Sequence, residues 1–224
     1  MAQKILIVGA SRGIGLEMAK QAKARGDEVI ATARNDAGAA ALADAGVQAL
    51  SADVVDEAAL AAAAAAIDGE IDLLVCNAGV YRGRGDMNAD DMAADAWADV
   101  LMTNVAGPFF VAKAFLPKLK SPGGKIAILS SIMGSTAKAA GNAYIYRASK
   151  SGATNVAANL AVELAPRGVS VGAYHPGWVQ TDMGGASAAV TTPDSAAGLL
   201  ARFDALGPDT SGVLEDYQGT PIPF

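Results

Sequence analysis

From end to end, the chain alternates short runs dense in Ile, Val and Leu with longer stretches of helical spacing. "KILIVG" (4–9) reads as a buried strand. A helix follows from about Gly13 to Arg25, with Gly26 where a C-cap belongs. "EVIATA" (28–33), "VQALSADV" (47–54), "IDLLVCNAG" (71–79), "GKIAILSS" (124–131), "VSVGAY" (169–174) and the short "GVLEDY" (212–217) read as further strands. Between them the spacing predicts helices over 36–45, after Asp56, over 99–119, over 144–165 and over 193–205. Pro108 and Pro117 leave the limits of the 99–119 helix open. Strands spaced by helices call for a parallel sheet covered on both faces. Right-handed crossovers then leave a doubly wound α/β sheet as the expected topology. No linker rich in Pro, Ser or charge divides the 224 residues and no repeat is visible, so one domain over 1–224 is expected.

Hydrophobic residues make up 52% of the chain but aromatics only 5%, so the core must come largely from Ala, Val, Leu and Ile. The net charge of −6 has no basic block, which argues against a nucleic acid or an anionic membrane surface as partner. Cys76, the single cysteine, excludes an internal disulfide and fits a reducing compartment. Met1-Ala2-Gln3-Lys4 enters the first strand with no signal-peptide pattern. The Ala-rich run 58–67 falls short of the roughly 20 residues a membrane span needs. A soluble, cytoplasmic protein is the expectation.

"VGASRGIG" (8–15) joins the first strand to the first helix. Gly9 permits a tight turn, Gly13 lets backbone approach a pyrophosphate, and Gly15 allows close helix–strand contact. The helix N-terminus behind them offers free N–H groups to phosphate. Gly9, Ser11, Arg12, Gly13, Ile14 and Gly15 are thus candidate cofactor-binding residues. The spacing G-x-x-x-G-x-G differs from the commoner G-x-G-x-x-G. NAD enzymes usually carry an acid at the end of the second strand for the ribose 2′-OH. Here the strand ends Thr32-Ala33-Arg34, and the nearest acid, Asp36, lies beyond it. Arg34 could pair with a 2′-phosphate, with Arg12 as a second clamp, which favours NADPH over NADH.

The loop, "CNAG" (76–79), "TNVAGPF" (103–109), "LSS" (129–131), the Y-x-x-x-K of Tyr146 and Lys150, and "HPGWVQTDM" (175–183) occur in one order across the chain. That series resembles the short-chain dehydrogenase/reductase family, and most of all its small-carbonyl-reductase branch of C-factor and sniffer-type proteins. The resemblance implies a seven-stranded, mostly parallel Rossmann sheet, a nicotinamide cofactor and hydride transfer between a carbonyl and an alcohol. It puts the catalytic set on Asn104, Ser131, Tyr146 and Lys150, with Ser130 a competitor for Ser131. It puts cofactor contacts on Asp53, Val54, Asn77, Ala78 and Gly79 and on Pro176, Gly177, Val179 and Thr181, besides Tyr146 and Lys150. Val8 and Cys76 depart from the family's usual Thr and Asn, and both departures look structural. Ser131 and Tyr146 stand somewhat farther apart than in many members. The resemblance also suggests a homodimer or homotetramer through helices 99–119 and 144–165.

Tyr146 and Lys150, four apart, share a helix face, whereas Tyr144 has only Ala148 at that spacing and reads as pocket wall. A free phenol has a pKa of about 10, and an ammonium at ~4 Å could lower it by the roughly 3–4 kcal/mol that acid–base work requires. Tyr146 is then the expected proton donor, Lys150 its tuner and ribose ligand, Ser131 a hydrogen-bond donor to the carbonyl oxygen, and Asn104 the anchor of a water that refills the proton. His175, before Pro-Gly at a strand end, reads as structural, and Cys76 as a small core residue. One His and one Cys leave no zinc cluster. Trp178 and Met183 could face substrate, core or an interface. Residues 132–145 are expected to shape the substrate pocket and 182–192 to form a mobile lid. Neither carries an evident clamp for an anion, Lys138 aside, so a small or moderately apolar aldehyde or ketone is expected. An NAD-linked alcohol dehydrogenase of the same family and a nonenzymatic dinucleotide-binding regulator are the alternatives. A Rossmann methyltransferase does not suit the glycine spacing.

Overall fold

The computed structural model describes residues 2–224. Seven strands, β1 (Lys4–Val8), β2 (Glu28–Ala33), β3 (Gln48–Ser51), β4 (Leu73–Cys76), β5 (Lys125–Leu129), β6 (Ser170–His175) and β7 (Leu214–Asp216), form one sheet in the order β3-β2-β1-β4-β5-β6-β7. Every pairing in it is parallel, including β7, whose short run is enough to add an edge strand. The order reverses between β1 and β4, and at such a switch point the loops leaving the two strands diverge to open a crevice.

Period-two alternation assigns each strand's side chains to one of two cores. On one face Leu6, Val8, Leu74, Cys76, Ile126 and Ile128 pack against residues of α3 (Glu57–Ala65), α5 (Gly107–Phe115) and α6 (Tyr144–Leu164). On the other, Ile5, Ile7, Leu73, Val75 and Ala127 meet α1 (Gly13–Ala24), α2 (Asp36–Asp44) and α7 (Thr192–Ala205). Phe115 and Phe203 are fully buried, one in each core, and each burial is worth about 2–3 kcal/mol.

Side-chain caps start three of these helices: Asn35 accepts from Gly38 N, Asp56 from Ala58 and Ala59 N, and Thr191 from Asp194 N. Helix α1 has no side-chain cap and no acid in its first turn, so its N-terminal N–H groups remain available to an anion.

The helix expected over 99–119 is longer and interrupted. It runs as α4 (Ala94–Leu101), a π turn (Met102–Ala106), α5, and a tight final turn containing Pro117. Pro108 explains the π turn: its missing N–H is the one an α-helix would direct to the Asn104 carbonyl. The helical run Ala94–Lys118 has the length and apolarity of a membrane span, with mean hydropathy 1.3. Its Ala96, Val100, Val111, Ala112 and Phe115 are buried in the cores of this fold.

Candidate active site

A groove of about 450 Å³ opens at the switch point, between the loops that leave β1 and β4. Gly9 has φ +85, and a Cβ there would stand 2.6 Å from that of Ala78, so the two loops touch only because Gly9 lacks one. Asn77 Nδ2 donates to the Gly9 carbonyl at 2.6 Å, and Thr32 Oγ1 accepts from Gly9 N at 3.0 Å. Gly9, Ser11, Arg12, Gly13 and Ile14 line the groove with Asn77, Ala78 and Gly79. Gly15 does not. It lies behind the wall, where a Cβ would meet Asn77 Nδ2 at 2.5 Å, so its part is the close packing of helix on strand.

At the outer end Ala33, Arg34, Ala52 and Val54 form the wall, and the end of β2 contributes no carboxylate to it. Asp53, expected near an adenine, is absent from the groove wall between Ala52 and Val54; it stands 3.9 Å from Arg34 and accepts from Val55 N. Arg12 pairs with Asp182 at 2.6 Å, which ties the glycine loop to the segment 182–192. Pro176 and Thr181 line the groove, whereas Gly177 and Val179 do not. Val179 is buried and bridges to Val190, and a Cβ on Gly177 would crowd Val190 and Tyr217. Both shape the base of that segment. Met183 faces the groove; Trp178 is exposed and donates to the Gly184 carbonyl.

At the inner end stand Tyr146 and Lys150, both buried on one face of α6 and both on the groove wall. The two neighbouring serines after β5 separate cleanly. Ser130 Oγ bonds the Lys150 carbonyl and Thr154 Oγ1, so it staples α6 to the sheet. Ser131 lies close enough to the Tyr146 phenol to ease its ionisation, and its Oγ caps the following turn by accepting from Met133 N; of the two serines Ser130 lines the groove. Asn104, buried in the π turn, grips the next loop: it accepts from Val80 N at 2.8 Å and donates to Val80 O at 2.9 Å and to Ser149 Oγ at 3.0 Å. A Cβ at Gly79 would come within 3.3 Å of Asn104 Oδ1 and 3.6 Å of Lys150 Nζ, a measure of how tightly these groups converge.

The electrostatics differ from the expectation that Lys150 depresses the phenol. Lys150 Nζ donates to the Leu129 carbonyl at 2.8 Å and lies 5.5 Å from the centre of the Tyr146 ring. Burial brings the lysine down to about 8, so it is still mostly charged at pH 7 and loses its charge just above neutrality. The phenol is pushed above the ordinary tyrosine range, first by burial and then by Tyr81, while Ser131 opposes the rise. His175 is held down to about 4, chiefly by burial, and Cys76 is raised to about 12 by burial, which leaves it an inert core thiol. Among the described residues no cluster of three or more His, Cys, Asp or Glu could hold a metal.

Val80 lies outside every motif quoted above, and Thr103, Gln180 and Asp182, though inside two of them, show their place on the wall only in three dimensions. The most consequential residue without a motif signal is Tyr81, beside the wall. Its ring lies 4.2 Å from that of Tyr146, tilted by 31°, and Arg84 lies over the ring at 4.5 Å. Its place two residues beyond Gly79 was the only available hint.

Residues 3–190 match the short chain dehydrogenase family. The C-signal protein of Myxococcus xanthus is 40% identical over 161 residues, covering 70% of this chain and 94% of that one. The structure of the carbonyl reductase Sniffer of D. melanogaster superposes with a TM-score of 0.92 at 30% identity, over the whole of both chains. An NADPH-bound carbonyl reductase from chicken fatty liver follows with a TM-score of 0.91 at 28% identity, covering 100% of this chain and 99% of that one.

Proposed function

The chain belongs to the short-chain dehydrogenase/reductase family, and from that premise we propose that it is an NADPH-dependent reductase of small aldehydes or ketones. One observation carries the reading. The Tyr146 phenol, beside Ser131 and backed by Lys150, closes the inner end of a groove whose other parts suit a phosphorylated dinucleotide.

The fit to NADP(H) rests on two features of that groove and one comparison. The uncapped N-terminus of α1 and the Gly13 backbone suit the pyrophosphate. Ala33 supplies no acid, and Arg34 and Arg12 supply two cations for a 2′-phosphate. The chicken reductase, similar over its full length, holds NADPH. When bound, the cofactor supplies the hydride that adds to a carbonyl carbon.

The remaining work belongs to the chain. As hydride arrives, negative charge grows on the carbonyl oxygen, and Ser131 offers it a hydrogen bond beside the phenol. Tyr146 gives that oxygen its proton. Its raised pKa does not prevent this, because an alkoxide is far more basic than a phenol; it keeps the group protonated and ready in the reductive direction. Lys150 stands behind the phenol as the group through which the proton is replaced, and Asn104 anchors the water that supplies it. The Asn104 side chain is already taken up by Val80 and Ser149, so its contact to that water would come from the main chain.

The setting is a cytoplasmic enzyme working on a small-molecule carbonyl or alcohol, as a homodimer or homotetramer. NADPH oxidation, followed by absorbance across a panel of aldehydes and ketones, tests the reading. Turnover with NADPH well above that with NADH is expected. Bound NADPH with no turnover of any carbonyl compound would favour a nonenzymatic regulator.

A further inference from the structure

Arg84, exposed on the loop after β4, is a cation without an ion-pair partner that reaches this site through Tyr81 and the Met183 carbonyl. Five of the other arginines meet carboxylates: Arg12 with Asp182, Arg25 with Asp27 and Asp204, Arg34 with Asp53, Arg82 with Asp95 and Asp99, and Arg202 with Glu215. Arg147, next to Tyr146, spends its donors on Asn142 Oδ1 and the carbonyls of Met133 and Lys138. Among the described residues Arg84 has no carboxylate at salt-bridge distance and one hydrogen bond, from Nη2 to the Met183 carbonyl at 3.1 Å.

Its position is nevertheless built. The guanidinium lies 4.5 Å over the Tyr81 ring, whose other neighbour at 4.2 Å is the ring of Tyr146. Asp91 Oδ2 accepts from the backbone N–H of Gly83 and Arg84, and the Gly85 carbonyl accepts from Ala143 N, one residue before α6 begins. An aromatic face holds a guanidinium in place without using its in-plane donors, which stay free for a planar, bidentate acceptor. The cation is no farther from the phenol ring than the two stacking separations combined. That span is within the length of one small molecule lying along the edge of the Tyr81 ring, with a carbonyl at Tyr146 and an anion at Arg84.

We propose that Arg84 is the anion-recognition residue of this site, and that the preferred substrates are aldehydes or ketones bearing a carboxylate about one benzene ring away from the carbonyl. This rests on the reductase reading above and narrows it. The sequence showed no anion clamp in 132–145 or 182–192 because the cation comes from neither, but from the loop after β4.

The test compares 4-carboxybenzaldehyde with its uncharged counterpart, methyl 4-formylbenzoate, under NADPH turnover by wild type, Arg84→Met and Arg84→Lys. Wild type should prefer the acid by about tenfold or more in kcat/KM, expressed mainly in KM. Arg84→Met should abolish that preference, and Arg84→Lys, with charge but no fork, should keep part of it. An acid-to-ester ratio left unchanged by Arg84→Met, including an equal loss on both substrates, would overturn the assignment alone. Failure of wild type to reduce either compound or any other aldehyde or ketone, with NADPH bound, would overturn the reductase reading and this inference with it.

Discussion

Arg12 Nη1 stands 2.6 Å from Asp182 Oδ2, an ion pair joining residues 170 positions apart across the mouth of the nucleotide groove. Both side chains are largely exposed, so the pair itself contributes about 0–1 kcal/mol. Its importance lies in competition: a 2′-phosphate reaching Arg12 must displace the Asp182 carboxylate. Asp182→Asn should therefore tighten NADPH binding by up to about fivefold and leave NADH nearly unaffected. Fluorescence titration of both nucleotides measures this, and equal changes for the two would contradict it.

Arg34 follows β2 opposite Asp53 at 3.9 Å and is the other cation proposed for the 2′-phosphate. Removing it with Arg34→Ala should weaken NADPH by about tenfold, the low end for a charge-assisted hydrogen bond at an exposed site, with little change for NADH. The same titration reads the outcome.

Ser130 and Ser131 should part company under mutation. Ser131→Ala removes the hydroxyl beside the phenol, and kcat should fall by about a hundredfold with the melting temperature little changed. Ser130→Ala breaks the staple to Lys150 O and Thr154 and should cost about 1–2 kcal/mol of stability, with a smaller effect on kcat. Steady-state kinetics and thermal melts on the pair test the assignment.

Lys150 makes a prediction about pH. Burial takes its pKa from 10.5 unfolded to about 8 folded. Between those values the unfolded chain binds more protons, so this group makes stability rise as pH rises from about 8 to 10.5. At neutral pH the buried charge is a cost. Lys150→Met, though inactive, should be more stable than wild type by about 2 kcal/mol at pH 7, after allowing for the lost bond to Leu129, and the gain should vanish by about pH 10. Urea denaturation at the two pH values decides it.

Local regularities made most of the fold readable. Apolar runs of strand length, the glycines that end them and the helical spacing between them predict the observed β1 to β7, with boundaries shifted by a few residues. Tyr146 and Lys150 were legible because four residues on a helix always share a face. What escaped depends on contacts between distant segments. Asn104 offers no sign in sequence that its amide is committed to Val80, and adjacent serines cannot be told apart until the strand end aims one at α6 and the other at the phenol. The phenol's environment is not legible in sequence, because helix spacing locates Lys150 but says nothing of its burial or of the Leu129 carbonyl that holds its ammonium. Tyr81 and Arg84 carry no signal because a stack between the loop after β4 and α6 has no linear pattern.

The most direct measurement is single-turnover reduction of a carbonyl substrate by Tyr146→Phe preloaded with NADPH. The substitution removes one oxygen and keeps the ring packed against Tyr81, so the nucleotide should bind as in wild type. Loss of the chemical step by about a thousandfold or more, with NADPH affinity intact, is the expected result. A rate within a few-fold of wild type, with the nucleotide demonstrably bound, would contradict proton donation by Tyr146.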